Sequence, residues 1–488
     1  MKMVKSLLLG SAAGLVAVVG AQAADLPVKA KPVEYVKVCS LYGAGYYYIP
    51  GTDICLRVGG YVRQEWAYGY GSNMTTGMWD AAHGRNTRFD PSPGADTVWR
   101  TRAYINIESR QQTAYGTLRT YLNVGLNGSN SVDFSANRAF IQIAGFTVGL
   151  ASSYFDHYSV AAIAYLVDSS SDTGDGGRTV FAYTAQLGNG VSASLSAEQP
   201  GEKRRSIGGI IVDAAGVPTT NFAIGSGTLN GEKYGKLEVP DIVANLRIDQ
   251  AWGSAQVMGA LHQVDAAYYG TLTTTGHPSD EWGFAVGGGV KINLPMIAPG
   301  DYVAAQVAYA EGASRYVVNT AQNSPNAYDG GTGLGYGITT DAVMATTGAG
   351  ATGTSIELTT MWGIAGGWEH FWTPSLRTSI HGSYNETRYN TRANGLMCGA
   401  QLFAGAVQYA ALADCNNDWS TWLIGSRTQW NVTKEFYMGF DVVYYNLQTA
   451  SKGAIVTAAA AGAQPAAIRT LDDQDAVAVR VRWHRDLP

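Results

Sequence analysis

Arg57, Arg63, Arg100, Arg102, Arg119, Arg138, Arg480 and Arg482 each occupy the polar phase of a segment whose side chains alternate between apolar and polar. In an extended strand, alternation puts every second side chain on one face, so these guanidiniums are expected on a common inner wall. A separate segment, from Phe155 to about Gly177, carries Asp156, Asp168, Asp172 and Asp175 around an apolar centre running from Ala161 to Val167. If that segment packs against the wall, carboxylates and guanidiniums face each other across a water-filled gap. Such a field sorts ions and disfavours apolar solutes, because it orders the water they would displace. Arg63, Arg100, Arg102, Arg119 and Arg138 are expected at the narrowest point, and Arg57, Arg480 and Arg482 toward the periplasmic end. The plainer alternative is that each arginine pairs with a neighbouring acid such as Glu65 or Glu108.

Nothing else in the chain has the spacing of a catalytic centre. The seven histidines form no HExxH pattern. His381 shares a segment with Ser379 and Ser383, a spacing that fits polar residues on one strand face better than a nucleophile and its base. No CxxC is present and no histidine neighbours the cysteines, so neither a metal nor a cofactor is expected. The net charge of -5 gives no reason to expect nucleic acid as a partner.

The elements that must hold these residues are strands. Alternating segments rising in one direction are Leu56–Tyr70, Thr117–Leu126, Thr147–Phe155, Val191–Gln199, Ser254–Val264, Tyr302–Glu311, Leu376–Glu386 and Phe436–Gln448. Those returning are Val98–Gln111, Arg138–Ala144, Arg178–Leu187, Ile242–Gln250, Trp282–Asn293, Met361–Trp372, Ser420–Trp430 and Asp475–Arg485. The connections alternate between short, such as Gly145-Phe146, and long, such as Gly312–Thr360. Lipid satisfies no backbone hydrogen bond, so strands cross a bilayer only as a closed barrel. The expectation is an all-β, 16-stranded antiparallel transmembrane β-barrel with short periplasmic turns and long extracellular loops, placed in the bacterial outer membrane. Leu118, Thr120, Leu122, Val124 and Leu126 would face lipid, with Arg119, Tyr121 and Asn123 inward. Val477, Val479, Val481 and Trp483 would face out, with Arg480 and Arg482 in. Moving the register by one would put arginines in hydrocarbon at about 2–4 kcal/mol each near the midplane. A mean hydropathy of -0.06 fits, because only alternate strand residues meet lipid.

Aromatic residues gather at the strand ends. Trp66, Tyr68, Trp99, Tyr154, Phe155, Trp282, Trp422, Tyr444 and Tyr445 are expected in an outer belt, and Trp252, Phe371, Trp372, Trp430, Phe436, Tyr437 and Trp483 in an inner one. The Ala/Gly-rich tracts Ala342–Gly353 and Ala454–Ala467 are expected in solvated, mobile outer loops.

The chain begins with Lys2 and Lys5, an apolar run from Leu7 to Gly20, and Ala21-Gln22-Ala23, the pattern of a signal peptide over 1–23. Residues 24–55 then form a periplasmic N-terminal segment, and 56–488 the barrel. Four cysteines in an exported chain suggest two disulfides, with three possible connectivities. Local pairing is expected, Cys39 with Cys55 and Cys398 with Cys415, each closing a loop of about 15 residues for roughly 3 kcal/mol.

The stretch Glu34–Cys39, the Tyr-Gly-Ala-Gly-Tyr core at Tyr42–Tyr46, the Ile49-Pro50-Gly51-Thr52 turn and Cys55–Val58 closely resemble the alphaproteobacterial porin family. The resemblance implies a trimeric, passive, 16-stranded pore in outer-membrane lipid. It also implies that the third outer loop, about 156–177, enters the lumen and constricts it. The expected function is diffusion of ions and small hydrophilic solutes. Members of such families commonly end on an aromatic residue, whereas here Trp483 is followed by His484-Arg485-Asp486-Leu487-Pro488, a short tail. A channel selective for a sugar or carboxylate, with Tyr61, Tyr104 and Tyr121 stacking on the solute, fits the same strands. So does a surface adhesin built on the long loops.

Overall fold

The computed structural model describes residues 37–69, 97–128, 132–157, 163–165, 170–174, 176–200, 204–212, 234–236, 238–269, 273–318, 326–328, 333–347, 353–403, 407–409, 415–458 and 467–487. The signal-peptide segment 1–23, Asp168 and Asp175 lie outside these.

Sixteen strands form one antiparallel sheet. They are β1 (Cys55–Tyr68), β2 (Thr97–Thr113), β3 (Gly116–Gly128), β4 (Val132–Ile143), β5 (Phe146–Ala151), β6 (Arg178–Gly188), β7 (Val191–Glu198) and β8 (Asp241–Gln250). Then come β9 (Gly253–Val264), β10 (Glu281–Asn293), β11 (Tyr302–Glu311), β12 (Thr360–Phe371), β13 (Leu376–Arg388), β14 (Trp419–Asn431), β15 (Phe436–Gln448) and β16 (Gln474–Leu487). β16 pairs with β15 on one side and with β1 on the other, Arg63 opposite His484 and Ala67 opposite Arg480. The sheet is therefore a closed barrel with no free edge in its wall.

Alternation decides which side chains face out. Val148, Leu195, Val257, Val286, Ile380 and Ile424, all apolar and all exposed, come from strands around the circumference. Their immediate neighbours in the strands are polar or small. The short connections cluster at one end. In the β6–β7 hairpin, Asn189 and Gly190 both have positive φ, 50° and 74°, a left-handed pair whose twist matches that of the flanking strands.

Two strand bounds differ from expectation for physical reasons. β4 begins at Val132 and not Arg138, because a bulge shifts the register between Asn123–Arg138 and Val124–Ala136; the extra residue breaks the alternation and hides the first half of the strand. β5 stops at Ala151 because the chain leaves the wall there and turns inward.

The outer connections are packed. Residues Ile207–Val212 run parallel to Ala342–Thr347. A small second sheet joins Asn326–Tyr328, Gly333–Tyr336, Ala467–Leu471, Ile455–Ala458 and Val407–Tyr409, and a helix spans Thr391–Phe403. Asp341 ties several of these segments together, accepting hydrogen bonds from the Ser314 amide and hydroxyl, the Arg205 amide and Tyr234 Oη. Val343, Met344, Ala454 and Val456 are buried, which corrects the expectation of solvated tracts there. The segments cover an apolar cluster that includes Met258, Ala308, Met361, Leu423, Val443 and Tyr445 on the inner faces of β9 to β15. Each large side chain buried this way contributes about 1.5–3 kcal/mol.

Hence some aromatic assignments move. Phe155 and Tyr445 are buried inside, and Tyr437 stacks on the inward His484 ring at 4.7 Å. The outer belt keeps Trp66 paired with Trp99, and Trp422 with Tyr444 at 5.3 Å. Both disulfides form as paired above, with Cα separations of 5.9 and 5.8 Å. At the other end of the chain β16 runs on through Leu487, which lies opposite Gly60. The residues after Trp483 are thus strand and no tail.

Candidate functional site

Strand register assembles the arginine wall. Glu65 on β1 lies directly opposite Arg100 on β2 and opposite Arg482 on β16. Its carboxylate receives Arg100 at 2.5 Å and Arg482 at 2.6 Å, with Arg480 at 3.9 Å. All four side chains are buried. A second carboxylate, Glu108, holds Arg110 and Arg119, each at 2.6 Å, and lies opposite Arg57. Arg63 donates to His484 Nδ1 at 3.0 Å and Arg102 to Asn127 Oδ1 at 2.9 Å. Arg138 donates to Ser152 Oγ at 2.9 Å. Arg480 and Arg482 sit level with Glu65, away from the end of the barrel where the sequence reading put them.

The segment between β5 and β6 crosses to the far wall wherever it is described. The Tyr165 amide donates to Asp441 of β15 at 2.5 Å, and its hydroxyl donates to Gln429 of β14 at 3.1 Å. Its carbonyl accepts Arg480 of β16. Ser379 of β13 donates to the Ile163 carbonyl at 2.5 Å, and Ser170 reaches the carbonyls of Ile364 and Tyr384, both at 2.9 Å. Ser379 is thus a docking residue, and the Ser379–His381 combination has no catalytic geometry. His381 is buried, with Nε2 3.7 Å from Asp441.

Glycines on the inner face make room for this crossing. A Cβ added at Gly289 would stand 2.6 Å from the His157 ring, and one at Gly287 3.2 Å from Phe155. At Gly367 and Gly439 it would meet Ile163 and Tyr165. Glycine inside a strand often marks such a close approach. These glycines, with Asp441, Gln429 and Ser379, are the functional residues that the sequence reading missed.

The loop's described acids do not meet the arginine wall. Asp156 accepts the Thr173 amide and hydroxyl at 2.7 and 2.6 Å. Burial pushes its carboxyl up, against the pull of those donors and of Arg178 and Arg315. Asp172 likewise lies beside Arg315. The loop carries its carboxylates to Arg178 at its own root and to Arg315 of the next packed segment, while Glu65 and Glu108 serve the wall. Arg178 is further held near Asp241 and Glu198 at 3.6 and 3.9 Å.

The rings proposed to stack on a sugar are occupied. Tyr61 lies between Tyr104, centroids 5.4 Å apart, and His484, 4.8 Å apart. Tyr121 stacks on Phe140 at 5.4 Å, with Arg119 over both. Neither face of Tyr61 is open to a solute.

A cavity of about 520 Å³ remains on the inner side of β3 to β9, lined by Arg138, Thr147, Ser152, Thr184, Ser194 and Arg247 among others. Among the described residues no group of His, Cys, Asp and Glu is placed to hold a metal, and no helix is long and apolar enough to cross a membrane.

Comparison with known proteins agrees with this architecture. The porin subfamily pattern matches residues 25–479. Porin Omp2b of Brucella melitensis biotype 1 is 32% identical over 326 residues, 59% of this chain and 80% of that protein. Porin Omp2b of Brucella abortus (strain 2308) is 32% identical over 329 residues, with the same coverage. Among solved structures, the outer membrane channel DcaP of Acinetobacter baumannii superimposes with a TM-score of 0.54 at 12% identity, covering 90% of this chain and 99% of that one; that likeness concerns the fold alone.

Proposed function

The chain belongs to the porin family and is an outer-membrane diffusion channel, and we propose that its third outer loop, about 156–177, sets the narrowest part of the lumen. The observation that supports this reading is the docking of Ile163 and Tyr165 on β13 to β16, across the barrel from the loop's own root. Ions and small hydrophilic solutes pass through the water left beside the loop. In the basic wall Arg63, Arg102, Arg119 and Arg138 set the field in that water. Arg100, Arg480 and Arg482 brace the wall through Glu65. The working unit is a homotrimer in outer-membrane lipid.

The test is conductance of the purified protein in planar bilayers. Opening steps in groups of three are expected. Tyr165→Ala together with Ser379→Ala should raise the unit conductance, because they remove a side chain and a tether at the crossing. Unchanged conductance in that double variant overturns the constriction by this loop. Single, ungrouped steps overturn the trimer.

A further inference from the structure

The packed loops divide the barrel's interior unequally. On the inner faces of β9 to β15 they bury an apolar cluster, and the third loop lies on that same half. The cavity left open runs beside β3 to β9, and hydroxyls and amides furnish its lining: Thr147, Thr184, Ser192, Ser194, Asn245 and Gln256. Two guanidiniums reach it from opposite sides. Arg138 comes from β4 beside Ser152, and Arg247 comes from β8, close to His157 Nδ1 at 3.3 Å.

The charge balance of the passage is positive. Arg247 is matched by Asp249, with both bonds at 2.8 Å. Arg138 is hydrogen-bonded to neutral oxygens, Ser152 Oγ and the Asn137 carbonyl. The one loop acid in the lining, Asp156, is turned into its own loop and bound to Thr173. On the adjoining wall each carboxylate is outnumbered, Glu108 by Arg110 and Arg119, Glu65 by Arg100, Arg480 and Arg482. Charge in a narrow lumen acts on every solute, since water there screens it poorly.

We infer that solutes cross along a lateral lane on the β3 to β9 side, and that Arg138 and Arg247 make this lane prefer small hydroxyl-bearing anions. The guanidiniums attract the anionic group, and the serine and threonine hydroxyls replace the water a polyhydroxylated solute gives up. A hydrocarbon carboxylate of equal size finds no such replacement. The inference rests on the channel reading above and adds to it a path, a sign and a solute class.

Reversal potentials of the full-length protein in planar bilayers test it. In a potassium chloride gradient the native channel should favour anions, and Arg138→Glu with Arg247→Glu should shift the reversal potential toward cations. Replacing chloride by gluconate should leave a larger anion permeability than replacing it by hexanoate. Should the double variant fail to fold, Ser194→Cys treated with a sulfonate-bearing thiol reagent serves instead. Among the described residues no native cysteine is free to react, and the added negative charge should lower current and shift selectivity the same way. An unmoved reversal potential in both variants, or hexanoate permeating as well as gluconate, overturns the lane. A correctly folded native protein that passes no current overturns the channel reading itself, and the lane with it.

Discussion

The guanidinium of Arg482 lies 3.9 Å from the centre of the Tyr165 ring. One belongs to the last strand of the barrel and the other to a loop that leaves the wall after β5. A desolvated cation–π contact of this kind is worth about 2 kcal/mol. Tyr165→Leu keeps the bulk and loses the contact. It should loosen the loop without opening the passage fully, seen as faster current noise at unchanged mean conductance. Quiet traces identical to the native ones would show that the ring does not hold the loop.

Glu65 is the buried carboxylate among Arg100, Arg480 and Arg482. Glu65→Gln leaves those guanidiniums uncompensated and should cost about 3–5 kcal/mol. The check is the temperature at which the folded barrel loses its compact gel mobility. A drop of several degrees is expected, and Arg100→Met in the same chain should restore part of it.

Gly289 faces inward beneath His157, with no other atom among its closest neighbours. Gly289→Leu should displace the start of the third loop while leaving the strand ladder intact. Amide hydrogen exchange should rise at Ser152–His157 and stay unchanged in β10. Unaltered exchange in both would mean the glycine serves the strand alone.

The strand count and the closure were legible in the sequence because alternation is a local property. Val477 to Trp483 declares its own faces, and the arginines between them declare the lumen. The partners of those arginines were less legible. Glu65 meets Arg100 and Arg482 only once register is set across separate strands, so the acid looked like an alternative and not the hub it is. The docking surface was hidden for another reason. Gly287, Gly289 and Gly367 read as weak strand residues, although their place in the inward phase was a usable signal of something packed against them. Asp156 was visible as an acid, but its choice of Thr173 and Arg178 depends on the path of the loop.

Burial raises the Asp156 carboxyl above its ordinary value, so the docked loop binds a proton more readily than an undocked one. The stability this gives is fully present below the ordinary carboxylate value and is lost as pH rises through the raised one. Exchange at Ser170–Gly174 should therefore quicken with pH across that window, beyond the intrinsic chemical rate. Asp156→Asn should abolish the extra dependence; if the variant keeps it, another group is responsible.

The Cys398–Cys415 bond closes a separation of 17 residues beside the helix Thr391–Phe403. Its loss through Cys398→Ser and Cys415→Ser should cost roughly 3 kcal/mol locally. Added protease should then cut between β13 and β14 while the barrel band survives. Cleavage at the native rate would show that the surrounding packing suffices.

Because β16 is bonded to β1, the first strand made must wait for the last. Until Leu487 has arrived, the wall has a raw margin on each side and cannot hold water apart from lipid. Insertion is thus all-or-nothing with respect to length: a chain lacking its final strand gains no smaller pore, only two open seams that invite foreign strands.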